Sequence, residues 1–239
     1  MKKGLFVLAS LLIMSSHVCG LLNIEGNTVW FNDIGQDPGN YYGAASVVGD
    51  SILFNPTNFA AGTGEAQMYL NKQVWFTIDA KAGRDIDSLE IEEYGDWTLQ
   101  GVGTAATFVE VSAIGNLRIE QVEGVDLANP ITVQGTMLFK QGPSVWTDGR
   151  YELPTDGPGS SPWEGELKFD IDQILLDNSV VGKATRVYFT MDNILTAITE
   201  DGTIAQIEKK DIGGFVVTVP EPATLVLLGL GGLLLRRKK

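Results

Sequence analysis

The segment Asn32-Asp-Ile-Gly-Gln-Asp-Pro-Gly-Asn40 gathers Asp33, Asp37 and Asn40 in a run of turn-forming residues. Carboxylate and amide oxygens are the donors calcium takes, so these three are the candidate ligands of a structural calcium ion. Ordinary turn chemistry accounts for the same residues, and the twelve-residue EF-hand pattern is absent. Asp170 and Asp172 form a second pair, on one side of a strand pattern. The other chemistry open to the chain is also carboxylate chemistry. Two acids suffice for glycoside hydrolysis, but no pair among the 30 acids is marked by its context. Glu90, Glu92 and Glu93 read as a solvated strand face. Trp146, Tyr151 and Trp163 offer something different: aromatic faces that would stack on sugar, or else close the open edge of a core.

Most catalytic chemistries lack their residues. His17 is the only histidine and Cys19 the only cysteine. Both lie in a segment with the form of a secretory signal peptide: Lys2 and Lys3, an apolar run from Leu5 to Met14, then small residues up to Gly20. A cut after Gly20 is expected. A lipoprotein cut before Cys19 fits less well, because Val18 is large for the position before it. The mature chain then has neither thiol nor imidazole. That excludes disulfides, Ser-His and Cys-His catalysis, and zinc sites built on Cys or His. Residues 21–219 keep 11 bases against 29 acids, a formal charge of −18. Nucleic acid, which needs a basic surface, is excluded as a partner.

These side chains have to be positioned by strands. Period-two alternation sets Leu89 and Ile91 against Glu90 and Glu92, and Leu117 and Ile119 against Arg118 and Glu120. It likewise sets Leu167, Phe169 and Ile171 against Glu166, Lys168, Asp170 and Asp172, and Val187, Phe189 and Met191 against Arg186, Tyr188 and Thr190. Ile131, Val133, Met137 and Phe139 run in phase with Gly135 among them. Further strands are predicted at TVWFND, SILF, QVWFTID, TAATFVEV, ILTAIT, TIAQIEK and GFVVTV. Asp201-Gly202, between two of these, is a tight-hairpin signal. Residues 141–165, with Pro143, Pro154, Pro158 and Pro162, read as one long loop. Trp30, Trp75 and Trp97 fall within strand patterns and are expected in the core. The fold class is all-β, an antiparallel β-sandwich of jelly-roll type. It occupies residues 21–218, between the signal peptide (1–20) and a C-terminal hydrophobic helix.

That last segment, 219–239, carries the clearest motif. Pro220-Glu221-Pro222 is followed by thirteen uncharged residues, Ala223 to Leu235, and then by Arg236, Arg237, Lys238 and Lys239. As a helix the run spans about 20 Å, against about 30 Å of hydrocarbon, and the basic end would stay cytoplasmic. Triplet, apolar run and basic tail, in that order, resemble the PEP-CTERM sorting signal of Gram-negative bacteria. The resemblance implies an exosortase-type processing enzyme as partner, a transient hold in the inner membrane with the body outside the cytoplasm, and delivery to the cell surface or extracellular polysaccharide matrix. EYGDWTLQGVGTAATFV and DNILTAITEDGTIAQIEKKD are similar to β-rich bodies that precede such signals. The expected function is therefore an exported, non-catalytic β-sandwich protein, structural, adhesive or glycan-binding. A carboxylate-only glycan-active enzyme is the alternative.

Overall fold

The computed structural model describes residues 22–62, 67–141, 145–210 and 214–220; of residues 141, 145 and 146 it describes the backbone only. The signal-peptide reading and the tail from Glu221 to Lys239 lie outside the described residues. The chain opens with β1 (Leu22–Glu25), β2 (Val29–Gln36), β3 (Ala45–Val48), β4 (Ser51–Phe54) and β5 (Ala60–Gly62). Long strands follow: β6 (Gln67–Ala80), β7 (Ser88–Gln100), β8 (Phe108–Val122) and β9 (Val125–Thr136). Then come β10 (Leu138–Gln141), β11 (Val145–Thr147), β12 (Arg150–Glu152), α1 (Leu153–Asp156), β13 (Gly159–Asp170) and α2 (Ile171–Asp177). The chain closes with β14 (Ala184–Ile198), β15 (Ile204–Lys209) and β16 (Phe215–Thr218).

Two antiparallel sheets face each other. The first runs β1-β2-β6-β14-β8-β12, with β9 also on β8. The second runs β11-β10-β13-β7-β16-β4-β3, and β15 joins β7 to β5. The expected sandwich is what forms. One edge of β7 is shared end to end: β16 pairs with Glu90–Glu93 and β15 with Gly95–Gln100. Between them the Tyr94 amide donates to the Gly214 carbonyl and the Tyr94 carbonyl accepts from Lys210 N–H.

The alternation translates directly into burial. Leu89, Ile91, Leu117, Ile119, Val187, Phe189 and Met191 all point inward. Phe54 of the second sheet stacks on Phe76 of the first at 6.3 Å, and Phe169 meets Phe189 edge-on at 6.3 Å. Gly115 and Gly135 are cross-strand partners on β8 and β9. A Cβ on either would stand 2.7 Å from a methyl carbon of Leu167, so this glycine pair admits the facing sheet.

Several expectations change. TRVYFTM and ILTAIT are one fifteen-residue strand, β14, because the inward phase continues unbroken through Asn193 to Ala197. Asp201-Gly202 does form a turn, but its flanking strands do not pair. β14 belongs to the first sheet and β15 to the second, so the turn carries the chain across the sandwich. The long loop is largely structured: β11, β12, α1 and the first half of β13 occupy it. Ile171 ends no strand and instead begins α2, whose N-terminus is capped by the Asp170 carboxylate accepting from Gln173 N–H at 3.0 Å. Asp172 therefore leaves the side of Asp170 and pairs with Lys183.

Candidate functional site

β7 aims Leu89, Ile91, Glu93, Gly95, Trp97 and Leu99 at the core. A carboxylate thus occupies an inward position, and Glu93 is fully buried. It is not the solvated residue its neighbours Glu90 and Glu92 suggest. Lys209 ends β15 in the inward phase of Ala205 and Ile207, and its side chain is also fully buried. The two meet, Lys209 Nζ lying 2.5 Å from Glu93 Oε2. Asn193, at 0% exposure, comes from the opposite sheet in phase with Met191 and Leu195. Its Oδ1 accepts from Lys209 Nζ at 2.9 Å.

A fourth residue sets the orientation of that amide. The Tyr42 hydroxyl donates to the Lys72 carbonyl at 2.8 Å, which leaves its oxygen to accept, and Asn193 Nδ2 donates to it at 3.0 Å. The amide NH2 therefore faces Tyr42 and the carbonyl faces Lys209. Tyr42 is held by the rings of Phe54, Phe59 and Phe215, all edge-on or tilted within 6.1 Å. Lys209 Nζ lies 5.4 Å from the ring centres of both Phe59 and Trp163.

Gly95 makes room for this arrangement. Its cross-strand partners are Lys209 on one side and Trp163 on the other. A Cβ there would stand 2.3 Å from the indole and 2.1 Å from the Glu208 carbonyl oxygen. Both charges are fully buried, and both respond. Burial pushes the Glu93 carboxyl up against the opposing pull of Lys209, and pushes the Lys209 ammonium down against the pull of Glu93. Glu93 Oε1 has no partner in hydrogen-bond geometry among the described residues. A buried amine, a buried acid and a buried carboxamide are thus in mutual contact. Each of the three was legible as a polar residue in the inward phase of an alternating strand.

Of the two readings of Trp146, Tyr151 and Trp163, stacking on sugar or closing the core, Tyr151 and Trp163 take the second. Tyr151 is fully buried and stacks on Trp97 at 5.2 Å, its phenol pushed up to about 12 by burial. Trp163 is 1% exposed and meets Phe139 edge-on. Both are core residues because the "loop" carrying them is strand. The Trp146 side chain lies outside the described residues. Of the other indoles, all expected in the core, Trp97 is buried there, but Trp30 is 38% exposed and Trp75 half-buried.

Trp75 stands on the outer side of the first sheet, crowded over Gly35, where a Cβ would come within 2.5 Å of the ring. Along the same outward side of β6 stand Tyr69, 58% exposed, then Asn71 and Gln73. Gln73 Nε2 donates to Asp192 Oδ1 at 3.0 Å on β14. Thr190 is cross-strand to Trp75 and to Asn116, which pairs in turn with Gln134. The outer face of the second sheet differs, with Glu90, Glu92, Asp96, Glu164, Glu166 and Glu208 pointing outward.

The calcium candidates are only partly brought together. Asp33 sits in a bulge of β2 with φ 54°, its N–H donating to Asn23 Oδ1. Asp37 Oδ2 accepts from Gln73 N–H at 3.0 Å, and Asn40 Oδ1 accepts from Gln36 Nε2 at 3.1 Å. Asp37 and Asn40 line a pocket of about 500 Å³ beside Trp75, and Asp33 is not among its lining residues. Among the described residues, no group of three or more His, Cys, Asp or Glu is placed to hold a metal ion.

The body ends in a tethered strand. Val219 N–H donates to the Asp50 carbonyl at 3.0 Å, and the Asp50 carboxylate takes the Thr28 amide at 2.7 Å and hydroxyl at 2.6 Å. Pro220 follows directly. No helix among the described residues is long and apolar enough to cross a membrane. Residues 218–239 match the family model of the PEP-CTERM protein-sorting motif. The motif marks an exported protein that is held at the membrane and then processed by an exosortase. No curated protein matches the chain.

Proposed function

We propose that the exported body is a non-catalytic module of the cell surface or extracellular matrix, and that it holds neutral polysaccharide on the outer face of the first sheet. The observation that carries this reading is the outward row Tyr69, Asn71, Gln73, Trp75 on β6. Aromatic faces offer stacking area to the C–H faces of sugar rings. Amides between them give each hydroxyl both a donor and an acceptor. A body with 29 acids and 11 bases favours a neutral glycan over an anionic one.

The test is affinity electrophoresis of the protein in gels containing neutral polysaccharides, with and without calcium. Binding should weaken about tenfold in Trp75→Ala, the loss expected when one ring contact of about 1.4 kcal/mol is removed. Glu166→Gln, on the opposite outer face, should leave binding unchanged. Release of reducing sugar would assign the body to a carboxylate-only hydrolase instead. Absence of retardation in every gel would leave a structural role.

Processing has its own test. Protein recovered outside the cell should begin near Leu21 and end near Pro220-Glu221-Pro222 when its intact mass is read. A species that keeps Arg236 to Lys239 would indicate a permanent anchor.

A further inference from the structure

We propose that Lys209 and Asn193 become joined by an intramolecular isopeptide bond, with Glu93 carrying the proton, so that the two sheets are covalently tied.

The reaction needs a nucleophilic amine, a polarised carbonyl, a proton carrier and the exclusion of water, and the core supplies all four. Lys209 Nζ lies 2.9 Å from Asn193 Oδ1, and the carbonyl carbon is one bond beyond that oxygen. Contacts of this length between buried partners approach those from which intramolecular reactions proceed. Glu93 Oε2, at 2.5 Å from the same nitrogen, is placed to take its proton. Burial already favours the neutral amine and the neutral acid. Tyr42 acts as a positioning residue. By accepting from Nδ2 it turns the Asn193 carbonyl toward Lys209 and leaves the NH2, which also stands in hydrogen-bonding reach of Glu93, as the leaving group.

The step balances without any co-reactant. Glu93 takes a proton from the ammonium, giving amine and acid. The amine lone pair attacks Asn193 Cγ, and the carbonyl oxygen carries the negative charge of the tetrahedral intermediate. The attacking nitrogen gives up one further proton, and the leaving nitrogen gains one through Glu93. The Cγ–Nδ2 bond breaks and the carbonyl re-forms. The products are a secondary amide between Nζ and Cγ and one molecule of ammonia, with nothing oxidised or reduced. The bond also removes a costly feature, since a buried charge pair repays its desolvation only with full hydrogen bonding, and Glu93 Oε1 has none.

The experiment is proteolytic digestion of the purified full-length chain, with the fragments read by tandem mass spectrometry. The expected result is a branched peptide linking Lys209 to Asn193, lighter by one ammonia than its two linear parts together. Recovery of both linear peptides at unreduced mass, with Lys209 open to amine-reactive labelling after unfolding, overturns the proposal. This measurement needs no variant, so a variant that fails to fold does not obscure it. In Glu93→Gln, checked as folded by circular dichroism, the branched peptide should fall at least tenfold. Its persistence at full yield would remove Glu93 as the proton carrier. Tyr42→Phe should slow the appearance of the link in freshly folded protein while leaving the circular dichroism unchanged.

Discussion

Glu90 and Glu93 stand three residues apart on β7 and meet opposite surroundings. Glu90 points outward and pairs across the sheet with Lys168 at 2.7 Å, the two side chains being 44% and 60% exposed. Glu93 points inward and pairs with Lys209 at 2.5 Å, both side chains at 0%. The residue types and the separations are alike, but the media differ. In water the outer pair is screened and each member can be solvated alone. In the core neither member can, so the pair, its Asn193 neighbour and the Tyr42 hydroxyl depend on one another. Strand phase thus decides which charges can carry chemistry.

The largest effect should come from Lys209→Met. It leaves Glu93 buried and unpaired, a change that costs about 3–5 kcal/mol in comparable cases. Urea denaturation of the body measures it. The companion variant Glu93→Leu with Lys209→Met separates two accounts of the site. An ordinary buried pair replaced by apolar residues is neutral or gains about 1–4 kcal/mol. A chain tied between residues 16 apart loses the tether instead, worth about 3 kcal/mol for a loop of that size. We expect the double variant to recover the burial cost and still remain below the wild type.

Next comes Gly95→Ala. The new methyl would meet the Glu208 carbonyl oxygen at 2.1 Å and the Trp163 ring at 2.3 Å. The backbone on one side cannot yield, so the overpacking cost of about 1–3 kcal/mol applies. A matched change on the outer face, Thr98→Ala, should stay within about 0.5 kcal/mol. If the two substitutions cost the same, the contrast between the faces of β7 fails.

The strands and their phases were legible because one wet face imposes strict alternation. Glu93, Asn193 and Lys209 each fall in the inward phase, beside Ile91, Met191 and Ile207. Phase alone does not mark them as buried, because a charge or amide is ordinarily solvated. What alternation cannot encode is which strands face each other. β14 and β15 are consecutive and look like a hairpin, yet they lie on different sheets, and only that crossing brings Asn193 over Lys209. The loop reading of residues 141–165 breaks down for a related reason. Proline and glycine in residues 141–165 suggested a loop, but Pro162 is tolerated where β13 pairs on one side only, opposite Asp96.

A smaller effect concerns the crossing itself. Glu200 holds the turn between β14 and β15. Its carboxylate accepts the Thr104 amide at 2.7 Å, the Thr107 hydroxyl at 2.9 Å and the Thr104 hydroxyl at 3.0 Å. These bonds, the backbone amide first, hold the carboxyl below its usual range. A depressed carboxyl contributes stability that is complete above its unfolded pKa and lost as pH falls through the folded one. Glu200→Gln should therefore lower Tm at neutral pH and flatten the acid side of the stability profile. An unchanged profile would mean that the turn does not depend on this charge.

The smallest effect is expected at Lys168 and Glu90, and it calibrates the others. Lys168 lies directly across from Glu90 on neighbouring strands, and its ammonium is pushed up by the hydrogen bond to that carboxylate. Both side chains remain open to water, so the attraction competes with solvation and with the entropy of two long chains. Lys168→Ala alone is a poor measure, because it also makes a body of charge −18 more negative. The cycle of Lys168→Ala, Glu90→Gln and the double variant cancels that general term. We expect a coupling of about 0.5 kcal/mol or less at low salt, falling further as the Debye length shortens to about 3 Å in molar salt. A coupling above about 1 kcal/mol that survived such salt would mean the outer pair is shielded as the inner one is. The contrast drawn from one strand would then rest on something other than water.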